Sequence, residues 1–232
     1  MLELDLPDLA AVPLPLVDDD TVVRGPDDVP PEPPRRLFLG GPLAVPLTAA
    51  TVGEDRDLRA FVEQDGEQHR YHLVHLAFTA TAGPDEPPLQ SAELHLRLSN
   101  DAGVAPAVAW SMAPERVVDP AQLTTKYALG PKLGLLGVDA TLGSVERTTA
   151  SPSSQVFLEA LRLLRSDPAW RFQRTPGLAI DGSWRLVLVV RAPRGVTTHL
   201  SVTARATVRR GRLFGFRTPD LPEAGLAATS FE

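Results

Sequence analysis

The amino-acid sequence predicts an all-β fold, a two-sheet β-sandwich of about eight to ten strands with one covering amphipathic helix. Two patterns predict it. Apolar and polar residues alternate along several stretches, as they do in strands with one buried and one solvated face. Only one stretch carries apolar residues at helical spacing. The chain is 43% hydrophobic but only 6% aromatic, so we expect aliphatic side chains to dominate the core.

The first 36 residues differ in composition from the rest of the chain. They contain eight prolines and nine acidic residues, which favours extended structure over a packed core. Apolar residues such as Leu9 and Leu14 are interspersed. We therefore predict an acidic, proline-rich leader over residues 1–36 that is extended or partly docked. The β-sandwich domain follows over residues 37–217, and a C-terminal tail over residues 218–232.

The first strands of the domain are predicted to form a hairpin. Leu58–Glu63 and His69–Ala80 flank Asp65-Gly66, a dipeptide that tight hairpin turns prefer. Residues 91–99 alternate more sharply, with alanine and leucines on one face and polar or charged residues on the other. This pattern is typical of a half-buried strand.

Two stretches in the middle of the chain are also predicted as strands. In the stretch that follows residue 103, alternate positions are apolar and so fall on one face of a strand; they are Val104, Val108, Trp110 and Met112. Residues 132–149 are rich in glycine and predict two short strands or one bent strand.

Residues 154–166 give the clearest helical pattern. Apolar residues recur at helical spacing, Ser153 or Ser154 is placed to cap the N-terminus, and Asp167-Pro168 ends the stretch. We expect this helix to plug an open end of the sandwich or to cover one sheet.

The last third of the chain returns to strand patterns. Trp170 and Phe172 mark one strand, and residues 200–209 alternate regularly. Trp184–Arg191 is apolar on nearly both faces, which predicts a central strand covered on both sides. Pro193-Arg194-Gly195 is predicted to turn the chain between the strand Trp184–Arg191 and the strand over residues 200–209.

Composition excludes several classes of protein. The chain has no cysteine, so disulfides and cysteine-based zinc sites are excluded. No apolar run approaches the ~18 to 20 residues of a transmembrane helix. Residues 1–5 lack the basic and apolar pattern of a signal peptide. These observations predict a cytoplasmic protein without a transmembrane segment.

Charge is distributed unevenly. Residues 1–150 hold 23 acidic and 11 basic residues, and residues 151–232 hold 6 and 12, so the balances are −12 and +6. Such asymmetry marks either a surface for nucleic acid or for an acidic partner, or two halves of one fold that attract each other. The overall charge of −6 disfavours nucleic acid as the main partner.

The sequence offers no set of residues for known catalytic or metal chemistry. His69, His72 and His75 are spaced by three, but on a strand His72 points away from the other two, which lie ~20 Å apart. His75 and His95 have the parity to meet across neighbouring strands, but a third ligand is missing. We therefore interpret the histidines as surface residues and predict no metal site. Motifs for a catalytic serine, a P-loop or a dinucleotide are also missing, so we predict no catalytic residues and no cofactor.

A basic row near the C-terminal end is the best candidate site. Its members are Arg205, Arg209, Arg210, Arg212 and Arg217. One interpretation is a solvated outer face, which alternation alone produces. Another is a surface that binds an anion or an acidic segment. In a third, the row receives the protein's own acidic leader.

The leading function is therefore a non-enzymatic binding or assembly module with a protein partner. An enzyme with an unrecognised active site is one alternative. A membrane-acting or toxin-like effector is the other, because amphipathic strands and glycine-rich segments also occur in such proteins. The sequence leaves open the oligomeric state and whether the leader docks on the basic row or binds another protein.

Overall fold

The computed structural model describes residues 9–19, 37–48, 51, 56–81, 86–100, 105–119, 155–210, 212–218 and 229–231. They form thirteen strands and one helix, α1 (Arg56–Asp65). The strands are β1 (Ala11–Pro13), β2 (Val17–Asp18), β3 (Leu37–Leu47), β4 (His69–Ala80), β5 (Leu89–Asn100), β6 (Val108–Ala113), β7 (Arg116–Val118), β8 (Val156–Leu161), β9 (Ala169–Gln173), β10 (Gly182–Pro193), β11 (Thr198–Arg210), β12 (Arg212–Arg217) and β13 (Thr229–Phe231).

The strands form two antiparallel sheets that pack against each other, which confirms the all-β prediction. The small sheet has five strands in the order β1-β3-β4-β10-β6. The large sheet has the order β2-β12-β11-β5-β9-β8-β7, and β13 pairs with the start of β11. Thirteen strands exceed the eight to ten predicted, partly because the leader and the tail contribute the short strands β1, β2 and β13.

Apolar side chains of both sheets meet in a single core. The inward residues of β4 and β10 alternate with outward ones, and so do those of β5 and β11. Aromatic rings join the sheets at one end. Phe78 of the small sheet lies 5.0 Å from Phe172 of the large sheet, and Phe157 lies 5.0 Å from Trp184, measured between ring centroids. Such tilted ring pairs add to the area that the rings bury.

Part of the second face of the small sheet is buried as well. Tyr71, Leu73 and Val189 alternate with core residues, yet each is at most 5% exposed. β10 lies between β4 and β6, which confirms that Trp184–Arg191 belongs to a central strand. Its second face is buried at Val189 but exposed at Arg185, so the predicted cover on both sides is only partial.

The predicted helix over residues 154–166 is wrong. Val156–Leu161 forms β8, which pairs with β7 and β9. Arg162 and Leu164 have φ angles of 58° and 59°, values that a right-handed helix does not contain. A short apolar run fits either period, and here the two neighbouring strands provide hydrogen-bond partners for a strand.

The hairpin predicted around Asp65-Gly66 is also wrong in its first arm. Leu58–Glu63 lies within α1, and apolar residues in this stretch recur three and four positions apart in the sequence, as helices favour. The helix ends at Asp65. A Cβ on Gly66 would lie 2.5 Å from the carbonyl oxygen of Val62, so the close approach at this helix end requires glycine. The second arm, β4, forms as predicted, whereas the stretch 132–149 lies outside the described residues.

Part of the leader is built into the sandwich. β1 pairs with β3, and β2 pairs with β12. Leu14 and Leu16 lie between β1 and β2 along the chain, and they join the core with side chains that are only 6% and 9% exposed. Gly40 makes room for this segment, because a Cβ there would lie 2.9 Å from Cβ of Leu9.

We predict that the Leu14→Ala substitution lowers the free energy of unfolding by ~2 to 4 kcal/mol, since it leaves a cavity in the core. Val12→Ala is the matched control, because Val12 lies in the same segment but is 49% exposed, and it should cost less than ~0.5 kcal/mol. Urea unfolding followed by circular dichroism measures both. Similar costs for the two variants would show that the leader does not contribute Leu14 to the core.

Candidate functional site: an arginine-lined groove

The outer face of the large sheet carries a row of charged residues. The strand registers place six of them directly opposite one another across six neighbouring strands. In order across the sheet they are Arg116, Glu159, Arg171, Glu93, Arg205 and Arg217. Positive and negative charges alternate as far as Arg205. There two arginines, Arg205 and Arg217, stand side by side at the β11–β12 end of the row.

Glu93 is fully engaged by partners other than Arg205. Its Oε1 accepts a hydrogen bond from Nε of Arg171, and its Oε2 lies 2.8 Å from Nε2 of His95. Burial raises the pKa of Glu93, but the hydrogen bonds from Arg171 and His95 outweigh burial and hold the pKa below its usual value. The same contact raises the pKa of Arg171. Glu93 is therefore a carboxylate that leaves the charge of Arg205 uncompensated.

A groove of about 670 Å³ lies beside this row, within the ~300 to 1,000 Å³ of ligand-binding clefts. Its floor consists of the outward side chains of β5 and β11. One wall is the turn over residues 162–168, whose backbone bonds to β5 through Leu96 and Leu98. The other wall is the end of β12, at Arg217 and Thr218. Four arginines line the groove against one aspartate, Asp167.

Arg162 is held in the wall by three contacts. Its Nε lies 3.2 Å from Oδ2 of Asp167 and 2.5 Å from the carbonyl oxygen of the same residue. Its Nη2 lies 3.0 Å from Nδ1 of His95. Because arginine only donates hydrogen bonds, Nδ1 must accept, and the proton of a neutral imidazole is then on Nε2, which donates to Glu93. Both nitrogens of His95 are therefore occupied.

The other arginines of the groove are placed differently. Arg97 and Arg205 are exposed, and within the described part of the chain their guanidinium groups have no hydrogen-bond or ion-pair partner. Arg205 stands opposite Arg217. The backbone nitrogen of Thr218 donates to the carbonyl oxygen of Ala204 at 2.8 Å. Arg205 and Arg217, the next pair along, therefore exchange no backbone hydrogen bonds with each other, and their Cα atoms are ~4.5 Å apart. Of this pair, Arg205 is the residue whose guanidinium has no partner among the described residues.

The structure brings together part of the predicted basic row. Arg205 and Arg217 line the groove. Arg209 is exposed on the same face of β11 but lies four residues beyond Arg205, opposite Leu213 and outside the groove. Arg210 pairs with Arg212 at the end of the hairpin; the structure does not describe their side chains.

Three residues of the groove were missed by sequence reasoning. They are Arg97, Arg162 and His95. Alternation over residues 91–99 already placed Arg97 and His95 on the polar face. The missing information was that this strand pairs with β11, about a hundred residues later in the chain. No pattern indicated Arg162, because its position depends on a turn where a helix was predicted.

The prediction of surface histidines is wrong for two residues. His72 and His75 are 4% and 3% exposed, since β4 lies between β3 and β10 and both of its faces are covered. His75 lies in the small sheet and does not meet His95, which is on the outer face of the large sheet. Across the described ranges, no three histidine, aspartate or glutamate side chains are grouped so that they could hold a metal ion.

A second polar cluster anchors α1 to the small sheet. Oη of Tyr71 donates to Oδ2 of Asp65 at 2.7 Å, and Nε of Arg191 lies 3.4 Å from the same oxygen. The guanidinium of Arg191 also lies 5.1 Å from the ring centre of Trp110. Burial and the Asp65 carboxylate raise the pKa of Tyr71 far above its usual value, so the phenol stays protonated. Tyr71 and Arg191 thus both contact the carboxylate of Asp65, which favours a structural role over a binding role.

Comparisons with known proteins add little. No protein-family model matches the chain, and no curated protein matches it. Among solved structures it is similar to the Clostridium perfringens NetB toxin in the membrane-inserted form, with 7% identity, 96% of this chain and 94% of that chain covered, and a TM-score of 0.30. A similarity this weak does not bear on function. Among the described residues, no helix is long and apolar enough to cross a membrane.

We predict that His75 makes the fold sensitive to acid. Among the described residues, neither ring nitrogen of His75 has a hydrogen-bond partner. Burial, together with the charge of Arg185, lowers the pKa of His75 below its usual value. The unfolded chain therefore takes up a proton near pH ~6.5 that the folded chain does not, so the free energy of unfolding falls as the pH falls through that value.

Urea unfolding at pH 7, 6 and 5 measures this effect. The His75→Leu variant should lose less free energy of unfolding between pH 7 and 5 than the unsubstituted protein does. His199→Leu, a partly exposed control on β11, should keep the original pH dependence. The same pH dependence in all three proteins would contradict the assignment to His75.

Proposed function

We propose that the protein is a non-enzymatic binding module whose groove binds an acidic segment of a partner protein. One observation carries the proposal. Arg97 and Arg205 are exposed in the groove without a partner among the described residues, while Glu93, the carboxylate opposite Arg205, is bonded to Arg171 and His95. Arginines of this kind are typical of sites that recognise carboxylate or phosphate.

The groove favours binding over catalysis. A general acid or base needs a nitrogen or oxygen that can reach a substrate. His95 is the one histidine among the described residues that line the groove, and its two nitrogens already bond to Glu93 and Arg162. Asp167 is engaged by Arg162. Charged groups that are already paired with each other support a fixed electrostatic surface rather than proton transfer.

We expect a hexaglutamate peptide to bind the protein, with an affinity that falls as salt rises because exposed charges are screened. Arg97→Ala and Arg205→Ala should each weaken binding about fivefold, the effect of losing ~1 kcal/mol from a solvent-exposed ion pair. Fluorescence anisotropy of a labelled peptide measures these affinities.

Arg174→Ala is the matched control. Arg174 is also exposed and follows β9 of the same sheet, but it does not line the groove. This variant should bind like the unsubstituted protein. Equal losses for all three variants would mean that general surface charge, rather than the groove, binds the peptide.

A further inference from the structure

The cations of the groove are arranged at two separate points. Arg97 stands opposite Ser201, and Arg205 stands opposite Glu93. The two arginines are therefore four residues apart along the paired strands, or ~13 Å at ~3.3 Å per residue. Arg217 is beside Arg205. One end of this arrangement thus carries a single arginine and the other end carries a pair.

The surface between the two points is close to neutral. His95 and Thr203 face each other there, and His95 is bonded to Glu93 and Arg162. The charge of Arg162 is offset by Asp167. Hydroxyl groups of Ser201 and Thr203 lie on the floor, so this part can form hydrogen bonds without selecting charge.

We propose that the groove selects an extended acidic segment whose carboxylates are four residues apart. This inference rests on the proposed function and names the pattern that the groove recognises. In an extended chain, residues i, i+2 and i+4 point to the same side, and i and i+4 are ~13 Å apart, which matches the separation of the arginines. In a helix the same two residues are only ~6 Å apart. One carboxylate binds Arg97, and the other binds between Arg205 and Arg217.

Three seven-residue peptides of identical composition test the spacing. Each contains two aspartates in a serine and glycine background, at positions i and i+4, i and i+2, or i and i+1. The first should bind about tenfold more tightly than the third, since only its carboxylates reach both cationic points. Arg97→Ala and Arg205→Ala should each remove this preference, whereas Arg174→Ala should preserve it. Thermal unfolding checks that the variants remain folded.

Equal affinities for the three peptides would overturn the spacing proposal and leave the proposed anion-binding function intact. Binding of inorganic sulfate as tight as that of the first peptide would also overturn it, because one anion would then suffice. If neither sulfate nor any of the peptides, including hexaglutamate, binds to the groove, the proposed function falls as well.

Discussion

The pairing of β5 with β11 determines both the core and the groove. The register runs from Thr198 opposite Asn100 to Val208 opposite Leu89. Side chains alternate along each strand, so this register sends leucine, valine and alanine into the core and leaves Arg97, His95 and Arg205 on the outer face. A slip of one residue would exchange the two sets. The burial of the apolar set therefore fixes the positions of the arginines.

The charges in the middle of the outer face compensate one another. Arg171 bonds to Glu93 and also lies 3.5 Å from Glu159, so the middle of the sheet is internally paired. Exposed ion pairs of this kind contribute little to stability. Their consequence here is a distribution of charge. The paired groups occupy β8, β9 and β5, and Arg205 on β11, which lines the groove, is left without a partner among the described residues.

The sequence predicted the fold better than the site, for reasons that specific residues make clear. Alternation identified β5 and β11 because each has one wet face, and these strands form as predicted. The run Val156–Leu161 was misassigned because apolar residues on both parities fit a helix or a strand, and only its partners β7 and β9 decide. Arg205 and Arg217 were predicted as binding residues. Arg97 and Arg162 were not, because their positions depend on a long-range pairing and on a turn with positive φ.

The central claim is that Arg97, Arg205 and Arg217 act as one site although they come from three strands. NMR of the arginine Nε–Hε groups during titration with the peptide that carries aspartates at i and i+4 tests it most directly. We predict that the three resonances shift together with one dissociation constant, while Arg174 does not shift. Separate dissociation constants for Arg97 and Arg205, or equal shifts at Arg174, would contradict the claim.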